Sequence, residues 1–482
     1  MDRLTIFTAA ALAGCGPAKP AAPATSDVSA RLDQVIADVV AKRDLPGMAL
    51  AVVQGDRVIY SKGHGFADIA AKRPMTDSTP TVIGSTSKPL TALAVLRLVA
   101  ENKLALDTPI VRYIPEIKFT DPRGSGITLR QLLTNRSGIV AGFSGAAYQR
   151  PAIQDSAAVG RLAREIATIP LLFAPGQGYK YSNRGWVLAG YIVERVGGMP
   201  VEDFMAKEVY GPLGMTHTTL EFWKVPDIAQ GYWEGIAIRN HPGNASVSRE
   251  YGPAGMMVST VQDMAKLEIA LMNGGKSVTG QQFLTPALLA EAFRPQADAE
   301  SELGGPTKYG LGWEVDSMLG TLTIKKAGSV GTLVALWVML PERHLGLVFT
   351  FNREDYQALP VLQSVLKVLA GGTADSFPSS GPPAAPPTPV AVNVAPGAFA
   401  KWIGSYDTRN GDAKVYQRGD SLFAELEGID IVLVPSSDSS FVQWDDRVHH
   451  AGNDLSFHRG RGQVTIWSGK DSLGIKVSGK AK

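Results

Sequence analysis

Three short groups of residues have the types and spacing for acyl-transfer chemistry: Ser85-Thr86-Ser87-Lys88, Tyr181-Ser182-Asn183 and Lys326-Ala327-Gly328-Ser329. A serine hydroxyl is a poor nucleophile and needs a base within hydrogen-bond reach. A lysine three residues further along a helix shares its face. Burial or a neighbouring cation pushes such an amine toward the neutral form that accepts the serine proton. Tyr181 is the second candidate base, because a phenol close to two lysines is drawn toward its phenolate. Spacing does not choose between Lys88 and Tyr181, which would titrate as a coupled set. Asn183 offers amide donors and an acceptor to a substrate or to Lys88. Lys326, if it reaches the same point, supplies a positive field and steers a substrate carboxylate.

The element that must position Ser85 is a helix. Proline is tolerated in a first helical turn, where its missing N–H costs nothing, and costs about 3 kcal/mol further in. Pro89 therefore predicts a helix that begins near Ser85, and Leu90, Leu93, Ala94, Leu96, Leu98 and Val99 make it largely apolar. A helix N-terminus presents free N–H groups to a developing anion. The tetrapeptide alone is weak, since Ser364–Lys367 also matches it. Tyr-x-Asn occurs once, whereas Lys-x-Gly recurs at Lys308–Gly310. No G-x-S-x-G is present, so a nucleophile elbow is not the arrangement. The seven histidines show no ligand spacing, and nothing calls for a metal or another cofactor.

Length and composition set the frame. A chain of 482 residues expects two or three domains. With 47 basic and 45 acidic residues the net charge is +2, which gives no basic excess for nucleic acid. The lone cysteine, Cys15, excludes intrachain disulfides. Leu12-Ala13-Gly14-Cys15 follows the apolar stretch Leu4–Gly14 and resembles a bacterial lipobox. Residues 1–14 then read as a signal peptide, and Cys15 as a lipidated N-terminus that holds the protein on the periplasmic side of a cell-envelope membrane. Residues 15–27 read as a tether rich in Pro and Ala.

A main domain is expected over residues 28–370. Val28–Arg43 has helical spacing, and Met48–Val53 with Arg57–Tyr60 flank Gly55-Asp56 as a hairpin. Helices follow at Asp155–Ile169, Trp186–Val196 and Val261–Met272. Strands close the domain at Gly312–Val315, Thr321–Lys325, Val334–Leu340 and Leu345–Phe351. A strand pair first, helices in the middle and strands last predict an α+β fold, with an antiparallel sheet closed by both chain ends. Residues 371–396 hold seven prolines and read as a linker. Residues 397–482 switch to short alternating segments and predict a small all-β barrel or sandwich. Substrate identity is expected to lie in the loops Gly138–Arg150 and Glu221–Tyr251.

The three motifs in this order, with their flanks, resemble the class C β-lactamase superfamily of serine hydrolases. That superfamily also holds penicillin-binding proteins, D-stereospecific peptidases and esterases. ITLRQLLTNRSGI (127–139), LLFAPGQGYKYSNRGWVLAGYIVERVGG (171–198), GPAGMMVSTVQDMAKL (252–267) and KKAGSVGTLVALWVMLPERHLGLVFTFN (325–352) carry the likeness. The segment from FAKWIGSYDTRNGD (399–412) resembles the lipocalin-like barrel appended to some members. The resemblance implies an acyl-enzyme on Ser85, with Lys88 and Tyr181 catalytic. Asn183, Lys326, Gly328 and Ser329 would face the substrate, and an oxyanion hole would form from the N–H groups of Ser85 and Ser329. Ala327 departs from the usual K-T-G or H-x-G, and its missing hydroxyl favours ester cleavage over β-lactam or peptide-carboxylate recognition. The expected activity is hydrolysis of esters or amides, as an esterase or D-peptidase-like enzyme with at most weak β-lactamase activity. A dedicated β-lactamase and a non-catalytic envelope protein that holds peptidoglycan are the alternatives.

Overall fold

The computed structural model describes residues 25–42, 45–141, 155–233, 236–237, 249–303, 305–318, 320–330, 332–353 and 358–370. Beyond these it describes strand segments between 403 and 468. Cys15 with the expected signal peptide, the linker 371–396, and loop residues 142–150 and 238–248 lie outside the described residues.

One nine-stranded antiparallel sheet organises the main domain. Helix α1 (Thr25–Lys42) leads into the hairpin β1 (Gly47–Gln54) and β2 (Arg57–Asp68). Its Gly55 takes the left-handed φ of 66° that a tight turn needs. Two-residue β3 (Arg73–Pro74) ends the N-terminal part of the sheet. The helical middle includes α2 (Ser87–Ala100), α3 (Asn183–Gly197) and α4 (Val261–Met272). The chain then returns as β4 (Ala297–Glu300), β5 (Pro306–Tyr309), β6 (Glu314–Met318), β7 (Thr321–Val330), β8 (Leu333–Leu340) and β9 (Leu345–Phe351). Helix α5 (Ala358–Leu369) follows. The strand order is β3-β2-β1-β9-β8-β7-β6-β5-β4. Met48 pairs with Phe351 and Gln54 with Leu345, so both ends of the domain close the sheet, as the α+β reading requires.

Both faces of the sheet are covered. Leu336 and Val338 of β8 join α1 and α5 in one core, while Ala335 and Trp337 join the helical layer in the other. This period of two buries the strand on both sides, which is why it reads as an unbroken apolar run. Each fully buried Leu or Val side chain contributes roughly 1.5–3 kcal/mol.

The structure moves several expected boundaries. Helix α1 begins at Thr25, inside the expected tether; Thr25, Ser26 and Asp27 are residue types that favour helix starts. The expected helix Asp155–Ile169 spans Ala158–Ile166, with the Asp155 carboxylate accepting from the Ala157 N–H before it. The expected strand Gly312–Val315 begins at Glu314, because Gly312 turns with φ 86° against Pro89 and Trp186. Strands β4 and β5 were not expected at all. Residues Gly404–Ser468 form a seven-stranded antiparallel meander. The strand order is sequential, and among the described residues no ladder joins the first strand to the last.

Candidate active site

The residues Gly84–Thr86 form a single tight turn that runs into α2 at Ser87. Ser85 thus sits on the lead-in to the helix. It is partly exposed, whereas Ile83, Gly84, Thr86, Ser87 and Lys88 are buried. The turn is pinned from several sides. Thr86 Oγ1 donates to the Ile83 carbonyl at 2.6 Å, the Met257 N–H donates to Ser87 Oγ at 3.2 Å, and Thr91 Oγ1 donates to the Pro253 carbonyl at 2.8 Å. One contact within the turn and two with the 253–257 segment thus fix the nucleophile turn.

Two side chains converge on Ser85 Oγ. Lys88 Nζ lies 2.9 Å away and donates to the Ala254 carbonyl at 2.5 Å. The Tyr181 hydroxyl lies 2.7 Å away on hydrogen-bond terms with the same Oγ. The Tyr181 ring is flanked by both lysines, with Lys88 Nζ 4.8 Å and Lys326 Nζ 5.0 Å from its centroid. Tyr181 owes its place to the loop before α3. Ser182 caps that helix by accepting from the Gly185 N–H. Asn135 Oδ1 accepts from both the Ser182 N–H and Trp186 Nε1, each at 3.2 Å.

The electrostatics differ from the expectation for Tyr181. Burial, then the Glu302 carboxylate, pushes its phenol well above the ordinary tyrosine range, and the pull of Lys326 does not compensate. For Lys88, burial and then the Lys326 ammonium drive the amine well below the lysine range, against a smaller pull from Glu302. Burial opposes the charge on Lys326, yet Glu302, Tyr181 and Glu314 together raise its pKa. The site therefore pairs an amine drawn toward neutrality with a phenol that keeps its proton, on either side of one serine hydroxyl.

Lys326 also departs from the expectation that it steers a substrate carboxylate. It is fully buried, and its ammonium donates to Glu302 Oε1 at 2.7 Å with Glu314 Oε1 at 3.6 Å. Asn183 is the half-buried first residue of α3, and among the described residues no hydrogen bond joins it to Lys88. Gly328 and Ser329 of β7 do reach the nucleophile turn. A Cβ on Gly84 would lie 2.5 Å from the Ser329 nitrogen, so the turn and the strand touch backbone to backbone. The second tetrapeptide is elsewhere: Ser364 Oγ donates to the Pro360 carbonyl within α5, and Lys367 is exposed.

A cleft of about 650 Å³ opens over Ser85. Its walls include Glu302, Ala327, Gly328 and Ser329, with apolar Leu303, Val334, Leu336 and Leu359. Ala254, Asn135, Glu302 and Glu314 were missed from sequence. Glu314 alone carried a signal, as a charged residue between the apolar Trp313 and Val315.

Known proteins are similar to this chain over most of its length. A family described as Beta-lactamase matches residues 32–369. The chain is 32% identical over 320 residues to "Esterase EstB" of Burkholderia gladioli, covering 60% of this chain and 79% of that protein. It is 24% identical over 423 residues to "Penicillin-binding protein 4*" of Bacillus subtilis, covering 83% and 88%. The octameric penicillin-binding protein homologue from Pyrococcus abyssi superposes with a TM-score of 0.62 at 23% identity, over 93% of this chain and 99% of that one. With its family match running from within α1 to the end of α5, around Ser85, the chain belongs to the beta-lactamase family of serine hydrolases.

Proposed function

We propose that the protein hydrolyses carboxylic esters through a covalent acyl-enzyme on Ser85. The observation that carries this reading is the position of Ser85 Oγ, 2.9 Å from Lys88 Nζ and 2.7 Å from the Tyr181 hydroxyl. Lys88 takes the Ser85 proton as Oγ bonds to the acyl carbon, its amine held by the Ala254 carbonyl. The tetrahedral oxyanion is received by the backbone N–H groups of Ser85 and Ser329. The C–O bond to the alcohol then breaks, and the proton that Lys88 took from Ser85 passes to the leaving alkoxide. Water repeats the sequence on the acyl-enzyme and releases the acid. Ala327 and the apolar walls Leu303, Val334 and Leu359 favour an uncharged ester, and the similarity to EstB supports the same choice. The lipid anchor expected at Cys15 would hold this activity at a membrane surface.

The test is turnover of p-nitrophenyl butyrate, nitrocefin and a D-alanyl peptide, with fluorophosphonate labelling of wild type and Ser85→Ala. Fastest turnover of the ester and labelling lost in Ser85→Ala are expected. Fast turnover of nitrocefin alone would make the protein a dedicated β-lactamase. An unlabelled wild type would make it a binding protein of the same fold.

A further inference from the structure

We propose that Glu302 sets the charge preference of the cleft: its carboxylate occupies the ammonium of Lys326, so the site accepts neutral acyl groups and rejects those bearing a carboxylate. The inference rests on the acyl-hydrolase reading of Ser85 and narrows its substrate class.

Lys326 lies beside the Tyr181 ring that flanks Ser85, and its ammonium is already paired. Glu302 Oε1 accepts from its Nζ at 2.7 Å, and Glu314 Oε1 lies at 3.6 Å. The Tyr181 and Tyr309 rings stand 5.0 and 5.5 Å from the same nitrogen. Glu314 is held in place, because Ser301 Oγ donates to its Oε2 at 2.5 Å and the Glu302 N–H donates to its Oε1 at 3.3 Å. A buried ammonium thus faces two carboxylates, which leaves a surplus of negative charge. Glu302 presents that surplus to the substrate, since it lines the cleft beside Ser85 and its side chain is 30% exposed. An incoming carboxylate would have to displace Glu302 from Lys326, and would find no hydroxyl at Ala327. The neighbouring walls are apolar, so a neutral acyl chain meets no such obstacle.

The test compares p-nitrophenyl hexanoate with the p-nitrophenyl monoester of adipic acid, which has the same chain length and a terminal carboxylate. Wild type is expected to prefer the hexanoate. Glu302→Gln should raise the adipate-to-hexanoate ratio of kcat/KM by about tenfold, mainly through KM, as removal of one charge near a partly buried ion implies. The gain should shrink in high salt and vanish when Lys326→Met is added. Glu302→Ala should move the ratio the same way, which separates the effect from a folding defect of one variant. A purely structural role would lower both substrates together, and an unchanged ratio overturns the proposal. If wild type cleaves neither ester, the hydrolase reading fails, and Glu302 is judged by binding of the adipate ester to Ser85→Ala. About tenfold tighter binding on adding Glu302→Gln supports the inference, and unchanged binding overturns it.

Discussion

Gly328 lies directly against Ser85: a Cβ on Gly328 would stand 2.3 Å from the Ser85 nitrogen and 2.5 Å from that of Thr86. The contact is reciprocal, since Gly84 in its left-handed conformation (φ 54°) has equally little room beside Ser329. The two glycines let the nucleophile turn and β7 approach closer than any side chain permits. Ser85, Gly328 and Ser329 line the cleft together.

Gly328→Ala should therefore disable the site. The atoms it would strike are backbone, which no rotamer change can clear, so β7 must shift away from the turn. We expect kcat on p-nitrophenyl butyrate to fall about 100-fold or more, the scale of losing one oxyanion donor. Far-UV circular dichroism should stay near that of wild type, because the shift is local. Wild-type kcat in this variant would mean that the contact does not shape the catalytic geometry.

Parts of this arrangement were legible in the sequence and parts were not. Pro89 placed Ser85 at a helix start without any structure, and α4 and β9 have the bounds read from their periodicity. Those signals are local. The direction of the Tyr181 shift was not local, because it depends on burial and on Glu302, a residue in the loop between two short strands. Those strands, β4 and β5, are charged or half-exposed at alternate positions and sit at the sheet edge, so they lack an apolar run to reveal them. Asn135 escaped notice because its role needs a left-handed φ of 55° and two donors brought from elsewhere in the chain.

The pH dependence of turnover should follow Lys88. A base must be unprotonated to act, so kcat/KM rises as pH climbs through the Lys88 pKa. Burial and Lys326 place that rise well below the ordinary lysine value of about 10.4. Glu302 holds the Lys88 pKa up, so removing its charge lets the amine lose its proton at lower pH. The ascending limb for p-nitrophenyl butyrate should therefore move toward acid in Glu302→Gln. Profiles of kcat/KM from pH 5 to 10 would show this, and a limb displaced toward alkali would contradict the assignment of Lys88 as base.

Stability should depend on pH through a different residue, Glu268 of α4. Its side chain is fully buried against β8 and β9, where Trp337 Nε1 donates to Oε1 at 3.1 Å. Oε2 has no partner among the described residues. Burial pushes this carboxyl well above the glutamate range, so the folded protein keeps a proton there. The unfolded chain releases that proton near pH ~4.3. Between that value and the raised folded pKa, the folded state binds more protons than the unfolded one, so stability falls as pH rises. Below pH ~4.3 both states are protonated and the residue imposes no such slope. Glu268→Gln keeps an acceptor for Trp337 and removes the titration. Its Tm should lie close to that of wild type at about pH 4 and exceed it increasingly toward about pH 8. Melting curves across that range decide the matter, and a constant gap between the two proteins would mean that Glu268 is not held neutral in the fold.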